Sequence, residues 1–270
     1  MALVKVHGID LAYDVAGGDG PTIVVTHGSW GSRRGWSAVV PGLARSFQVV
    51  TWDRAGHGES ADRPGQGTRE QDADDLAGLI EALDVAPAHM VGNSFGGSIT
   101  LELVTRRPDL FRSLIVHEPP VFDVLGGGDA PDIALARQRI EQVTERLARG
   151  DREGGARLFA DTVVGSVGTW DSYSPETQAA MMRLSETFLD ENRDPAVFAL
   201  DLDRIAMFPK PALLSYGDAS PGYFERVVRQ VAGVMPDANA HCFAGAGHVP
   251  HRSDPDAFVD VVTAFLAGVE

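Results

Sequence analysis

The sequence predicts an α/β fold: a mostly parallel central sheet flanked by helices, with a helical lid. Three observations predict it. Short apolar, β-branched runs recur along the chain with little polar alternation, as in strands buried on both faces. Helical patterns separate these runs, and strands that alternate with helices build parallel sheets through crossover connections. A long segment in the second half carries helical patterns and no strong strand.

Size and composition agree with that class. The 270 residues suffice for one sizeable core and a small lid. Apolar residues make up 44% and charged residues 23%, an ordinary soluble composition. A net charge of −15 repels phosphate backbones and anionic membranes, so neither is an expected partner. No stretch approaches ~18 consecutive apolar residues. The opening "MALVKVHGIDLAYDV" lacks the long apolar run of a cleaved leader, so a cytoplasmic protein is expected. The acidic surface leaves a homo-oligomer open. Cys242 is the single cysteine, which excludes an internal disulfide and a cysteine-rich metal site.

Along the chain, "PTIVVTHG" (21–28), "FQVVTWD" (47–53), "AHMVGNS" (88–94), "SLIVHE" (113–118) and "PALLSYG" (211–217) read as strands. "TREQDADDLAGLIEALD" reads as a helix. Thr68 is its N-cap, Gln71 the capping-box partner, and Leu76, Leu79, Ile80 and Leu83 form one apolar face. "GGSITLELVTRRP" is a second helix, stopped before Pro108. "DPDAFVDVVTAFLAG" closes the chain, with proline near its start and Gly268 near its end. Residues 119–208 break the rhythm. "DIALARQRIEQVTERLARG" and "SPETQAAMMRLSETFLD" are helical stretches there, separated by glycines, prolines and charges. The expected organisation is a core of residues 1–118 and 209–270 with a mainly helical cap at 119–208.

The chemistry concentrates at the ends of the expected strands. "VGNSFGG" holds G-x-S-x-G at Gly92, Ser94 and Gly96, between a strand and a helix. A serine on so tight a turn projects above the sheet, and small neighbours let strand and helix approach. The Phe95 N–H opens the helix, where unpaired amides can stabilise an oxyanion. "THGSWGS" follows the first strongly buried strand. Its Ser29 N–H is the expected second oxyanion donor, Trp30 a pocket residue, and His27 a packing residue. His248, in "FAGAGHVPHRSDPDAF", sits on a loop between an apparent strand and the last helix, which suits a base. His251 is a weaker rival. The spacing of His248, His251 and the nearby acids is not that of a metal site, so neither metal nor cofactor is expected.

These motifs, "HGSW", "DRAGHGES", "GNSFGG" and "GHVPH" in that order, resemble the α/β-hydrolase fold superfamily over nearly the whole chain. The resemblance implies an α/β-hydrolase fold with a triad in the order nucleophile, acid, histidine. Ser94 matches the nucleophile and His248 the histidine. Most members carry the acid after a late strand, in a pattern like G-x-x-D. Here that strand gives Gly217, Asp218, Ala219 and Ser220, so a serine fills the usual aspartate position. Certain haloalkane dehalogenases place the acid after the strand that follows the nucleophile helix, which corresponds here to Glu118. That residue also ends an apolar strand before two prolines, and an imidazole N–H would give its carboxylate a partner. Glu118 is the expected acid, with Asp218 the alternative.

The dehalogenases use an aspartate nucleophile, which Ser94 replaces. Cofactor-free haloperoxidases share the serine triad, although their usual proline is missing from "HGSWGS". The resemblance therefore implies an esterase- or lactonase-like serine hydrolase, acting with water on a small or medium ester, lactone or thioester. Carbon–carbon bond hydrolysis, haloperoxidase or perhydrolase activity, and a non-enzymatic small-ligand receptor are the alternatives. Trp170, Tyr173, Met181, Met182 and Phe188 are expected, with Trp30, to line the acyl pocket.

Overall fold

The computed structural model describes residues 1–126, 130–165 and 167–269. Its strands are β1 (Ala2–Val6), β2 (Ile9–Ala16), β3 (Thr22–Thr26), β4 (Gln48–Trp52), β5 (Ala88–Asn93), β6 (Phe111–His117), β7 (Ala212–Gly217) and β8 (Ala238–Phe243). They form one sheet in the order β1-β2-β4-β3-β5-β6-β7-β8. Every pairing from β4 to β8 is parallel. β1 and β2 are a hairpin that joins antiparallel to β4. The hairpin turns at His7 and Gly8, whose φ angles of 47° and 88° suit the two-residue turn that matches strand twist.

Successive strand residues face opposite sides, so each strand feeds two cores. Val24, Val50, Met90, Leu114 and Leu214 belong to one apolar cluster. Their neighbours Ile23, Val49, Val91, Ile115 and Leu213 belong to the other. This is why the strands read as continuous apolar runs.

The first cluster is covered by α1 (Arg69–Ala82) and α2 (Phe95–Arg106). Thr68 and Gln71 form the capping box of α1, each side chain accepting from the other's backbone N–H. Leu76, Leu79 and Ile80 are fully buried beneath it.

Among the described residues, four helices of eight residues or more lie in the expected cap region: α3 (Pro131–Ala148), α4 (Arg152–Phe159), α5 (Pro175–Arg183) and α6 (Ser185–Arg193). They share an apolar cluster of their own, which includes Val143, Leu147, Phe159, Trp170, Met181 and Phe188. Among the described residues of 119–208 there is no strand; residues 127–129 and 166 of that expected insertion lie outside the description. The helical stretch "SPETQAAMMRLSETFLD" is divided into α5 and α6, because Leu184 ends α5 with its N–H on the Met181 carbonyl. The Ser185 hydroxyl donates to the Met182 carbonyl and the Thr187 hydroxyl to that of Leu184, local bonds that compete with the helix ladder.

The chain closes with α7 (Tyr223–Val234) on the first cluster and α8 (Pro255–Leu266) on the second. Among the described residues no helix is long and apolar enough to cross a membrane.

Candidate active site

The parallel strands end on one edge, where the loops after β3, β5, β6, β7 and β8 meet. β5 delivers Ser94 into α2. Ser94 has φ 55° and ψ −128°, a region costly for a residue with a Cβ. Its neighbours hold the corner. Ser94 N donates to the His117 carbonyl at 2.9 Å, and the Ser94 carbonyl accepts from Gly97 N at 2.8 Å and Ser98 N at 3.1 Å. The approach is so close that a Cβ on Gly96 would sit 2.3 Å from the Thr26 carbonyl oxygen. A Cβ on Gly28 would sit 2.9 Å from that of Ser94. The glycines therefore bring the loop after β3 against the serine.

β6 delivers Glu118, which is fully buried and has φ 45°. Its carboxylate has three hydrogen-bond donors. Gly217 N donates to Oε1 at 2.8 Å, and the Ser220 hydroxyl to Oε2 at 2.9 Å. His248 Nδ1 lies 2.7 Å from Oε2. Because an ionised carboxylate only accepts, His248 carries its proton on Nδ1, which leaves Nε2 of the neutral ring as an acceptor. Burial pushes the Glu118 carboxyl up, but the hydrogen bond from His248, with neighbouring His117 and the Gly217 amide, brings it below its ordinary value.

His248 is held on every side. Its carbonyl accepts from Asn93 Nδ2 at 2.9 Å, and its ring stacks on Phe224 at 5.0 Å between centroids. Ser94 and His248 line the same two cavities. Asp218, the alternative acid, is exposed and accepts from Gly245 N at 2.6 Å, tying two loops together. The usual aspartate position is occupied by Ser220, which serves as a donor to Glu118.

The N–H groups of Ser29 and Phe95 have no acceptor among the described residues, and both residues border Ser94 in one cavity. That cavity is walled by Phe122, Phe159, Phe188, Phe198 and Tyr223. The second cavity is more polar. It is lined by Trp30, Tyr173, Met181, His251 and Arg252. Two expected pocket residues line neither. Trp170 is 1% exposed within the cap's own apolar cluster, where the Arg157 guanidinium lies 5.8 Å from its ring. Met182 packs against that same cluster. Both sit on the side of the cap helices turned toward one another, a distinction that helical spacing alone does not draw.

Other histidines here pack and stay neutral. His27 joins the Gly28 carbonyl through Nδ1 and accepts from Arg54 N through Nε2; burial and the Arg54 charge lower it to about 3. His251 stacks on Trp36 at 4.2 Å and is lowered by burial to about 3. Among the described residues no three His, Cys, Asp or Glu side chains converge to hold a metal. Reading by motif gave no role to Asn93, Ser220 or Glu191. Asn93 lies inside "VGNSFGG" and Ser220 stood out only as a departure from the usual acid; Glu191 lies in a cap helix with no motif to mark it.

Known proteins give the same architecture. A model of the "Alpha/beta hydrolase family" matches residues 23–261. The sn-1-specific diacylglycerol lipase ABHD11 of Mus musculus is 27% identical over 271 residues, which cover 96% of this chain and 86% of that protein. The crystal structure of an alpha/beta hydrolase from Sphaerobacter thermophilus DSM 20745 superposes with a TM-score of 0.79 at 25% identity, covering 98% of this chain and 100% of that one. A bromoperoxidase from Bacillus anthracis superposes at 0.81 with 21% identity, over 98% and 99% of the two chains, and shows the fold alone.

Proposed function

Because the chain belongs to the alpha/beta hydrolase family, we propose that it is a serine hydrolase cleaving a small or medium carboxylic ester or lactone through an acyl-enzyme. One observation carries the reading. Ser94, on a strained strand-to-helix corner, shares a cavity with His248, whose Nδ1 is held by the buried carboxylate of Glu118.

The reaction follows from those positions. His248 Nε2 takes the Ser94 hydroxyl proton as Oγ bonds the substrate carbonyl carbon. The carbonyl π pair moves onto oxygen, where the N–H groups of Ser29 and Phe95 stabilise it. The intermediate collapses, the bond to the leaving oxygen breaks, and His248 returns the proton to that oxygen. Water then gives a proton to His248 as its oxygen bonds the acyl carbon. Collapse of the second intermediate expels Ser94 Oγ, which recovers the proton, and the acid departs. Glu118 stays ionised throughout, fixes the ring and stabilises the imidazolium.

The cavities favour an uncharged acyl group. The phenylalanine-walled chamber presents a mainly apolar lining that suits an apolar acyl chain. The polar cavity, with Tyr173 and Arg252, suits the leaving alcohol. The sn-1-specific lipase name of the mouse relative is in keeping with ester cleavage.

Ser94→Ala tests the reading. We expect hydrolysis of a p-nitrophenyl ester series to fall by at least ~10³-fold, with covalent labelling by a fluorophosphonate abolished. Undiminished hydrolysis by this variant rejects the nucleophile. Labelling of the wild type without turnover of any ester or lactone favours a receptor.

A further inference from the structure

Ser29 is held from the cap. Among the described residues its hydroxyl makes its only hydrogen bond, donating to Glu191 Oε2 at 2.5 Å. Its backbone N–H, the proposed oxyanion donor, has no such tie. The next residue, Trp30, has φ 59° and the one after it is Gly31, whose N–H closes a tight turn on the Gly28 carbonyl at 3.2 Å. That carbonyl, in the same peptide as the Ser29 N–H, also meets His27 Nδ1 at 2.9 Å. The turn and His27 hold the peptide from the core side, and the Ser29 hydroxyl adds a tie from the cap side.

Glu191 is an unusual anchor. It comes from α6, and only 4% of its side chain is exposed. It borders the phenylalanine-walled chamber that Ser94 enters. Burying a carboxylate there is costly unless it is paired. Its Oε1 lies 2.8 Å from Arg54 Nη1, and Arg54 Nη2 donates to Asp72 at 2.7 Å. The same guanidinium sits 4.7 Å from the centroid of the Phe95 ring. One carboxylate thus contacts Ser29 directly and reaches Phe95 through Arg54. Docking of the cap does not depend on it alone. Asp194 accepts from Arg69 N at 2.8 Å, and Gln66 donates to the Asp190 carbonyl at 2.7 Å, on either side of Glu191.

We infer that Glu191 is a positioning residue, holding the Ser29 N–H on the oxyanion through the Ser29 hydroxyl. The inference rests on the reading of Ser94 as nucleophile and of the Ser29 amide as oxyanion donor. It couples the cap to the chemistry: cap helix α6 sets the geometry of the oxyanion site as well as walling the chamber.

The test is kinetic. Ser29→Ala keeps the N–H but removes its anchor, whereas Ser29→Thr keeps the hydroxyl. With a short-chain aryl ester, we expect Ser29→Ala to lower kcat by roughly 10- to 100-fold while KM stays within about twofold, and Ser29→Thr to restore most of the loss. Glu191→Leu should lower kcat by a similar factor, and the Ser29→Ala/Glu191→Leu double variant should be no slower than the slower single one. A Ser29→Ala enzyme with wild-type kcat overturns the inference, as do losses that multiply in the double variant. If Glu191→Leu does not fold, the Ser29 pair decides alone. Ser94→Ala is assayed beside them. If it is inactive while Ser29→Ala is unimpaired, only this inference fails. If it retains wild-type turnover, the nucleophile reading fails first.

Discussion

At the scale of single residues, the site depends on close backbone approach. Ser94 occupies a strained conformation that only crowded, well-bonded surroundings maintain. Gly96 supplies much of that crowding tolerance. A Cβ there would lie 2.3 Å from the carbonyl oxygen of Thr26 and 2.5 Å from that of His27, both backbone atoms that cannot swing aside. Gly96→Ala should therefore destabilise the fold by roughly 1–3 kcal/mol, as overpacking does, and displace the loop that carries Ser29. Gly222→Ala is the control, since a Cβ there meets nothing within 4 Å and φ is −61°. Urea denaturation of the two variants checks this. A Gly96→Ala protein as stable as the wild type would show that the corner is looser than described.

At the scale of elements, much was legible because burial on both faces leaves a plain mark. The five quoted apolar runs are β3 to β7, and the capping box at Thr68 and Gln71 starts α1 as its letters suggest. The hairpin of β1 and β2 was not recovered from "MALVKVHGIDLAYDV". Its outer strand is mostly exposed, so the apolar run that marks a buried strand is absent. The glycine of the His7-Gly8 pair, which forms the two-residue turn, was the available signal. The surroundings of the carboxylate were half legible. The letters offered Glu118 and Asp218 and raised Ser220 as an anomaly. In the structure the anomaly has a physical sense, because the Ser220 hydroxyl donates to the Glu118 carboxylate across two neighbouring strands. Pairing between distant loops is a tertiary fact that local spacing does not encode. Trp170 and Met182 show the same limit within the cap, where an aromatic or methionine on a helix reads alike whether it faces a chamber or another helix.

At the scale of the whole molecule, buried neutral histidines and distant strand ends decide behaviour. His27 and His251 are lowered to about 3, His117 to about 4 and His57 well below its ordinary value, in each case mainly by burial. A depressed folded pKa means that the unfolded chain takes up protons first, near pH 6.5. The stability these groups contribute is complete above that pH and is lost as pH falls through the window below it. Each histidine should contribute a loss of about 1 kcal/mol between pH 7.5 and 5.5. Glu191 and Asp75, raised by burial, work in the opposite direction, and Arg54 and Arg63 limit them. Denaturation midpoints should thus fall across this range, and a flat profile would contradict the neutral, buried state of these rings. The same architecture gathers Ser94, Glu118 and His248 from three separate loops, and the proposed catalysis depends on that gathering. The most direct measurement of it is kcat/KM for one aryl ester with the wild type, Glu118→Gln and Asp218→Asn. The account predicts a fall of roughly 10³- to 10⁴-fold for Glu118→Gln, through loss of the carboxylate that orients and stabilises the imidazole, and nearly wild-type values for Asp218→Asn. A large loss confined to Asp218→Asn, with Glu118→Gln unimpaired, would contradict it.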